Sequence, residues 1–153
     1  MSTPAPRDRE QRVRDTLARL ERDVDCWVAT AGPGGGEPYL IPLSFLWDGE
    51  TLLLATASAT PTARNLLATR TVRLGLGELR DVALIEGTTE AIPEADIPDA
   101  VGDAFAAKTG FGPRREPNPY LYLRVRPRRI QGWREVDELA GRELMRAGEW
   151  VVG

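Results

Sequence analysis

Histidine is absent from the 153-residue chain, and cysteine and lysine occur once each, as Cys26 and Lys108. Without histidine there is no Ser-His-Asp or Cys-His nucleophilic machinery, no histidine-ligated haem and no ordinary catalytic zinc site. One cysteine forms neither an internal disulfide nor a cysteine metal cluster, and it fits the reducing cytoplasm in which we expect the protein. No apolar run approaches the roughly 20 residues of a membrane span. The opening MSTPAPRDREQRVRD lacks the apolar core of a secretory signal, so no membrane partner is expected. A net charge of -3, with acids and bases interspersed, offers no general attraction to nucleic acid. If the chain is an enzyme, these absences hand the difficult chemistry to a bound cofactor.

What is present has the size of one ordinary domain. Residues 1–6 are expected to be disordered, and residues 7–153 to form a single domain. Val13, Leu17 and Leu20 recur at helical spacing within Arg7–Asp25, with charges on the remaining faces. CWVATA (26–31) reads as a strand and GPGGGEP as a flexible turn. In PYLIPLSFLW, Tyr39, Ile41, Leu43, Phe45 and Trp47 alternate onto one face. Pro42 has no N–H to give a ladder, so it predicts an edge or a bulge. Asp48-Gly49 predicts a two-residue hairpin turn into ETLLLATA.

Thr60 is placed to cap a short helix, with Pro61 at its first position. TVRLGLG and DVALIEGTTEAI predict two further strands. Asp96 is expected to cap a third helix whose stripe is Ile97, Val101, Ala104 and Phe105, and Gly110 to stop it. YLYLRVRPRRIQGW is the last expected strand, and DELAGRELMRAG a short terminal helix. About six strands joined by hairpin signals predict a mainly β fold, an antiparallel barrel with peripheral helices.

Three segments are candidate sites. In TASATPTARN, hydroxyls at Thr56, Ser58, Thr60 and Thr62 meet a helix N-terminus followed by Arg64. That combination suits an anion such as phosphate, but it equally describes an ordinary capped helix with a surface arginine. In LRVRPRR, Arg124 and Arg126 share one face, either an anion-binding surface or the solvated side of an amphipathic strand. Trp133 and Arg134 either clamp a planar ligand or partner subunit, or cover a barrel end together with Trp150. There is no Gly-rich dinucleotide motif and no Walker loop.

Taken in order, WVATAGPGGGEPYLIPLSFLWDGETLLLATA, PTARNLLATRTVRLGLG and DVALIEGTTEAI resemble the pyridoxamine 5'-phosphate oxidase-like split β-barrel flavoproteins. YLYLRVRPRRIQGWRE with GRELMRAGEW is similar to an actinobacterial branch of flavin- and deazaflavin-dependent reductases. The resemblance covers roughly residues 10–152. It implies a homodimer of six-stranded split barrels, with FMN or the deazaflavin coenzyme F-420 in two grooves at the interface. It places the cofactor phosphate at Thr56, Ala57, Ser58, Thr60, Arg64 and Asn65, and the ring system against Pro42, Leu43 and Ser44. Trp133 and Arg134 of the other subunit close the groove. The implied activity is hydride transfer between the bound cofactor and a small organic substrate. Two alternatives stay open: a carrier that binds the cofactor without turnover, and a dimer that has lost it. Members of the family often carry two basic residues in the phosphate segment, where this chain has only Arg64. True pyridoxamine-phosphate oxidases pair an arginine with a histidine at the substrate, so vitamin B6 oxidation is not expected here.

Overall fold

The structure, a computed structural model, describes residues 4–151. Eight strands and three helices follow in the order α1 (Arg9–Arg22), β1 (Asp25–Thr30), β2 (Tyr39–Trp47), β3 (Leu52–Ala57), α2 (Pro61–Thr69), β4 (Thr71–Glu78), β5 (Asp81–Pro93), α3 (Asp99–Thr109), β6 (Tyr120–Arg134), β7 (Glu143–Arg146) and β8 (Glu149–Trp150). The strands pair antiparallel in the order β3-β2-β1-β4-β5-β6-β7-β8, and a further β3–β6 ladder closes the first six into a barrel. Closure pairs most strands on both sides, which is how a small all-antiparallel sheet limits self-association through its ladders.

Alternation along the strands decides what fills the barrel. Val28, Phe45, Leu52, Leu54, Leu74, Ile85, Leu123, Val125 and Ile130 point inward and are buried, and Leu20 of α1 plugs the same cluster. A second cluster lies outside the wall, where Phe105 of α3 packs edge-on to Tyr122 with ring centroids 5.6 Å apart. Lys108 of α3 reaches across the barrel mouth. Its Nζ donates to the Leu20 carbonyl at the end of α1 (3.2 Å) and sits 4.1 Å from the Phe45 ring centre.

Several local expectations shift. Helix α1 starts at Arg9 because Asp8 caps it, accepting from Gln11 N (2.7 Å), and Asp25 already belongs to β1. Its buried face carries Arg12 as well as apolar residues. The β2–β3 turn is centred one residue later than Asp48-Gly49: Gly49 takes φ +99°, and the Asp48 carboxylate accepts from Glu50 N and Thr51 N. Asp96 lies in a 3-10 turn and does not cap α3, which begins at Asp99 after Pro98; Ile97 and Phe105 are buried and Ala104 is exposed.

The expected terminal helix over DELAGRELMRAG is instead the β7–β8 hairpin, preceded by a 3-10 turn at Val136–Glu138. Ala147 and Gly148 both take positive φ (51° and 82°), the two-residue hairpin geometry that matches strand twist and that a helix cannot contain. Of the N-terminal stretch expected to be disordered, residues 1–3 lie outside the described residues. Residues 4–6 are exposed, and the Ala5 carbonyl accepts from Arg134 Nη2 (3.1 Å).

Candidate functional site

β2 and β3 are laddered only from Phe45/Leu54 to Trp47/Leu52. Beyond that point they part: Pro42, Leu43 and Ser44 pair with β1, and Ala55, Thr56 and Ala57 pair with β6. Alternate backbone groups of both segments therefore face an unladdered gap in the wall. Pro42 sits where β2 has a neighbour on one side only, the edge position its missing N–H predicts. Ser44 Oγ donates to Asp25 Oδ1 on the neighbouring strand (2.7 Å).

The β3–α2 junction closes one end of this gap. Thr60 caps α2 as expected, its Oγ1 accepting from Ala63 N (3.1 Å), with Pro61 at the first helical position. The same hydroxyl lies 3.1 Å from Thr56 Oγ1 and donates to the Ala57 carbonyl (3.0 Å). Ser58 is tied to the residue just before β6, Pro119, whose carbonyl accepts from its backbone N (3.0 Å) and Oγ (3.2 Å). Arg64 Nη1 donates to Ala59 O (2.8 Å), folding the exposed guanidinium back over the loop, and Asn65 Nδ2 donates to Thr30 Oγ1 at the end of β1 (3.1 Å). The local fold thus gathers Thr56, Ala57, Ser58, Thr60, Arg64 and Asn65 into one small junction. Both Ser58 donors are taken by Pro119 O, so the exposed Arg64 guanidinium, with only Nη1 committed, is the donor left facing solvent, and its charge fits an anionic group.

Trp133 and Arg134 are not brought there. Tyr120 lies opposite Ala57, whereas Arg134 ends the same 15-residue strand and lies opposite Asp81. A straight strand of that length spans roughly 45 Å. Arg134 cannot meet the junction of its own chain.

Beneath Trp133 and Arg134 lies a network that sequence reasoning missed. Glu138, fully buried, accepts from Arg134 N (2.6 Å), Arg7 N (2.7 Å), Arg7 Nε (3.0 Å) and Arg7 Nη2 (2.8 Å). Arg7 also bonds Asp15 and Asp81, and buried Arg12 donates to the carbonyls of Gly132, Glu138 and Ala140. Burial alone would raise the Glu138 pKa, but the hydrogen bonds from Arg7 and Arg134 hold it down at about 2. Burial pushes the Cys26 thiol up to about 12, so it is no nucleophile at neutral pH.

Two grooves mark the outer wall. An apolar one of about 640 Å³ runs over Trp27, Leu40, Gly75, Leu84 and Trp133. A second, more polar one of about 560 Å³ adjoins it over Thr30, Thr71, Arg73, Glu86, Thr88 and Arg128. Arg128 belongs to the basic run Arg124, Arg126, Arg128 and Arg129, but simple alternation over LRVRPRR does not set it apart from Arg124 and Arg126. The signal was present: inward positions 123, 125, 127 and 130 slip phase between 127 and 130. No metal-binding group of His, Cys, Asp or Glu occurs among the described residues, and no described helix is long and apolar enough to cross a membrane.

The family model described as pyridoxamine 5'-phosphate oxidase matches residues 14–134. Among solved structures, an F420 reductase is 24% identical, with 74% of this chain and 93% of that chain covered and a TM-score of 0.58. A putative pyridoxamine 5'-phosphate oxidase from Listeria innocua is 18% identical over 78% and 95% of the two chains, TM-score 0.61. A conserved hypothetical protein from Mycobacterium tuberculosis is 22% identical over 79% and 83%, TM-score 0.62. No curated protein sequence matches the chain.

Proposed function

The chain belongs to the pyridoxamine 5'-phosphate oxidase family, and from that premise we propose that it is a homodimeric oxidoreductase dependent on FMN or the deazaflavin coenzyme F-420. The proposed activity is hydride transfer to or from a small organic substrate. The observation that carries this reading is the gap between β2 and β3, which joins a strip of unladdered backbone at Pro42–Ser44 to the hydroxyl-rich junction at Thr56–Asn65. A flat ring system against the strip and an acidic group at the junction match the two halves of such a cofactor. The likeness to an F420 reductase supports the deazaflavin side of the pair.

When bound, the cofactor supplies the hydride chemistry. The protein's own part is orientation and exclusion of water. Arg64 holds the anionic end, the β2 backbone fixes the ring edge, and Trp133 with Arg134 of the second copy covers the open side. The distance along β6 from the junction to Arg134 supports a contribution from that second copy. The missing histidine argues against pyridoxamine phosphate as substrate.

Titration with FMN and with F-420, followed by fluorescence, tests the reading. Saturable binding of one is expected; binding of neither sinks it. Arg64→Ala should weaken the bound cofactor by about 1.5–3 kcal/mol, the usual worth of a hydrogen bond to a charged group. Binding with no reduction of any acceptor would favour a carrier. A stable dimer that binds no cofactor would favour a protein-contact role.

A further inference from the structure

The polar groove on the outer wall contains a cation that the fold goes out of its way to present. In the β5–β6 ladder Glu86 pairs with Arg129 and Gly87 with Pro127, so Arg128 is the extra residue of a β-bulge. A bulge re-aims side chains. Here it turns two successive arginines, Arg128 and Arg129, to the outer surface, where strict alternation would allow one.

The two arginines have different fates. Arg129 bonds Glu86 (3.1 Å) and Glu143 (2.9 Å), and Arg73 bonds Glu86 from the other side (3.1 Å). The one carboxylate of the groove is therefore already matched by two guanidinium groups. Arg128 has no ion pair or side-chain hydrogen bond among the described residues, and it lines the groove with Thr30, Thr71 and Thr88. The β7–β8 hairpin turn buttresses it. Gly148 N donates to Arg128 O (2.8 Å), and a Cβ at Gly148 would stand 3.1 Å from Arg128 Nη1.

We propose that this groove is a binding site for the carboxylate or phosphate end of a small organic anion, with Arg128 as its charged contact and Thr71 and Thr88 as hydroxyl donors. A volume of about 560 Å³ is in the range of small-molecule sites. An uncommitted guanidinium fork beside hydroxyls is the geometry that recognises either oxyanion. The site stands whether or not a flavin occupies the gap between β2 and β3. The anion's source is either the cofactor's own acidic end or a separate acidic substrate.

The test is an NMR titration of the ¹⁵N-labelled full chain with pyrophosphate and, separately, with benzoate. The expected result is saturable shifts at the Thr71, Arg73 and Thr88 amides with at least one probe. Arg128→Gln should weaken that binding roughly tenfold to hundredfold, as loss of a charge-assisted contact does. Arg128→Lys should fall between, and Arg126→Gln, which removes an exposed cation outside the groove, should bind like wild type. No saturable shift in the groove with either probe, or an Arg128→Gln chain that binds as wild type does, overturns the proposal. Repeating the pyrophosphate titration with FMN or riboflavin present separates the sources. Displacement by FMN alone identifies the cofactor's phosphate and moves it from the Arg64 junction to Arg128, and undiminished binding to FMN-loaded protein identifies a separate acid; both uphold the groove as a site. Groove binding in a chain that takes neither FMN nor F-420 upholds the site and removes the oxidoreductase reading.

Discussion

At the scale of single residues, Glu138 organises the end of the barrel that carries Trp133 and Arg134. A carboxylate with no exposed surface is tolerated because four hydrogen bonds, two of them from the Arg7 guanidinium, replace its water. Glu138→Gln removes the charge and leaves Arg7 and Arg12 facing a neutral amide. By the usual cost of breaking a buried pair, the variant should lose about 3 kcal/mol of stability in chemical denaturation. The sign of the pH dependence follows from the depressed pKa. The native state favours the ionised form, so the contribution is full above the ordinary value of 4.5 and is lost as pH falls from there towards about 2. Wild type should therefore destabilise between pH 4.5 and about pH 2 more steeply than the variant. Parallel curves would mean that Glu138 does not titrate in this network.

At the scale of elements, the β3–α2 junction was legible and the C-terminal hairpin was not. Thr60-Pro61 is a short-range signal, since cap and first helical position are neighbours in sequence and their bonds form locally. Thr60→Ala should cost about 1 kcal/mol through the lost cap, and more than that if the Thr56 hydroxyl is left without its partner. Urea denaturation of the two proteins measures it, and an unchanged midpoint would show the cap to be redundant. The gap beside this helix follows from where one ladder stops, and Pro42 was its only trace in the sequence. DELAGRELMRAG failed for the opposite reason. Its Leu, Glu, Ala and Arg favour a helix locally, but Gly141, Ala147 and Gly148 are held at positive φ while β7 pairs with distant β6. The bulge at Arg128 is a similar case: it is visible as a slip in apolar phase, and it has meaning only once β5 lies alongside.

At the scale of the whole molecule, the apolar outer groove and the proposed dimer bear on each other. Trp27, Leu40 and Leu84 are 52%, 60% and 40% exposed around Gly75, on a wall whose inner side is already filled. Barrel strands with apolar residues on both faces are buried on both faces as a rule, and a contiguous apolar patch of this kind marks an interaction surface. A second copy laid on the same patch would give a self-complementary interface. It would also bring that copy's Trp133, which lines the groove, near the gap that its own chain's junction cannot serve. Leu84→Glu places a charge in the centre of that surface with no cation beyond Arg73 and Arg129, both already held by Glu86. Light scattering should show the wild type at twice the chain mass and the variant at the chain mass. Cofactor affinity should fall with the dimer, because the covering residues leave together. If the variant becomes monomeric and binds the cofactor as tightly as before, each site is complete within one chain, and Trp133 and Arg134 lose their place in it.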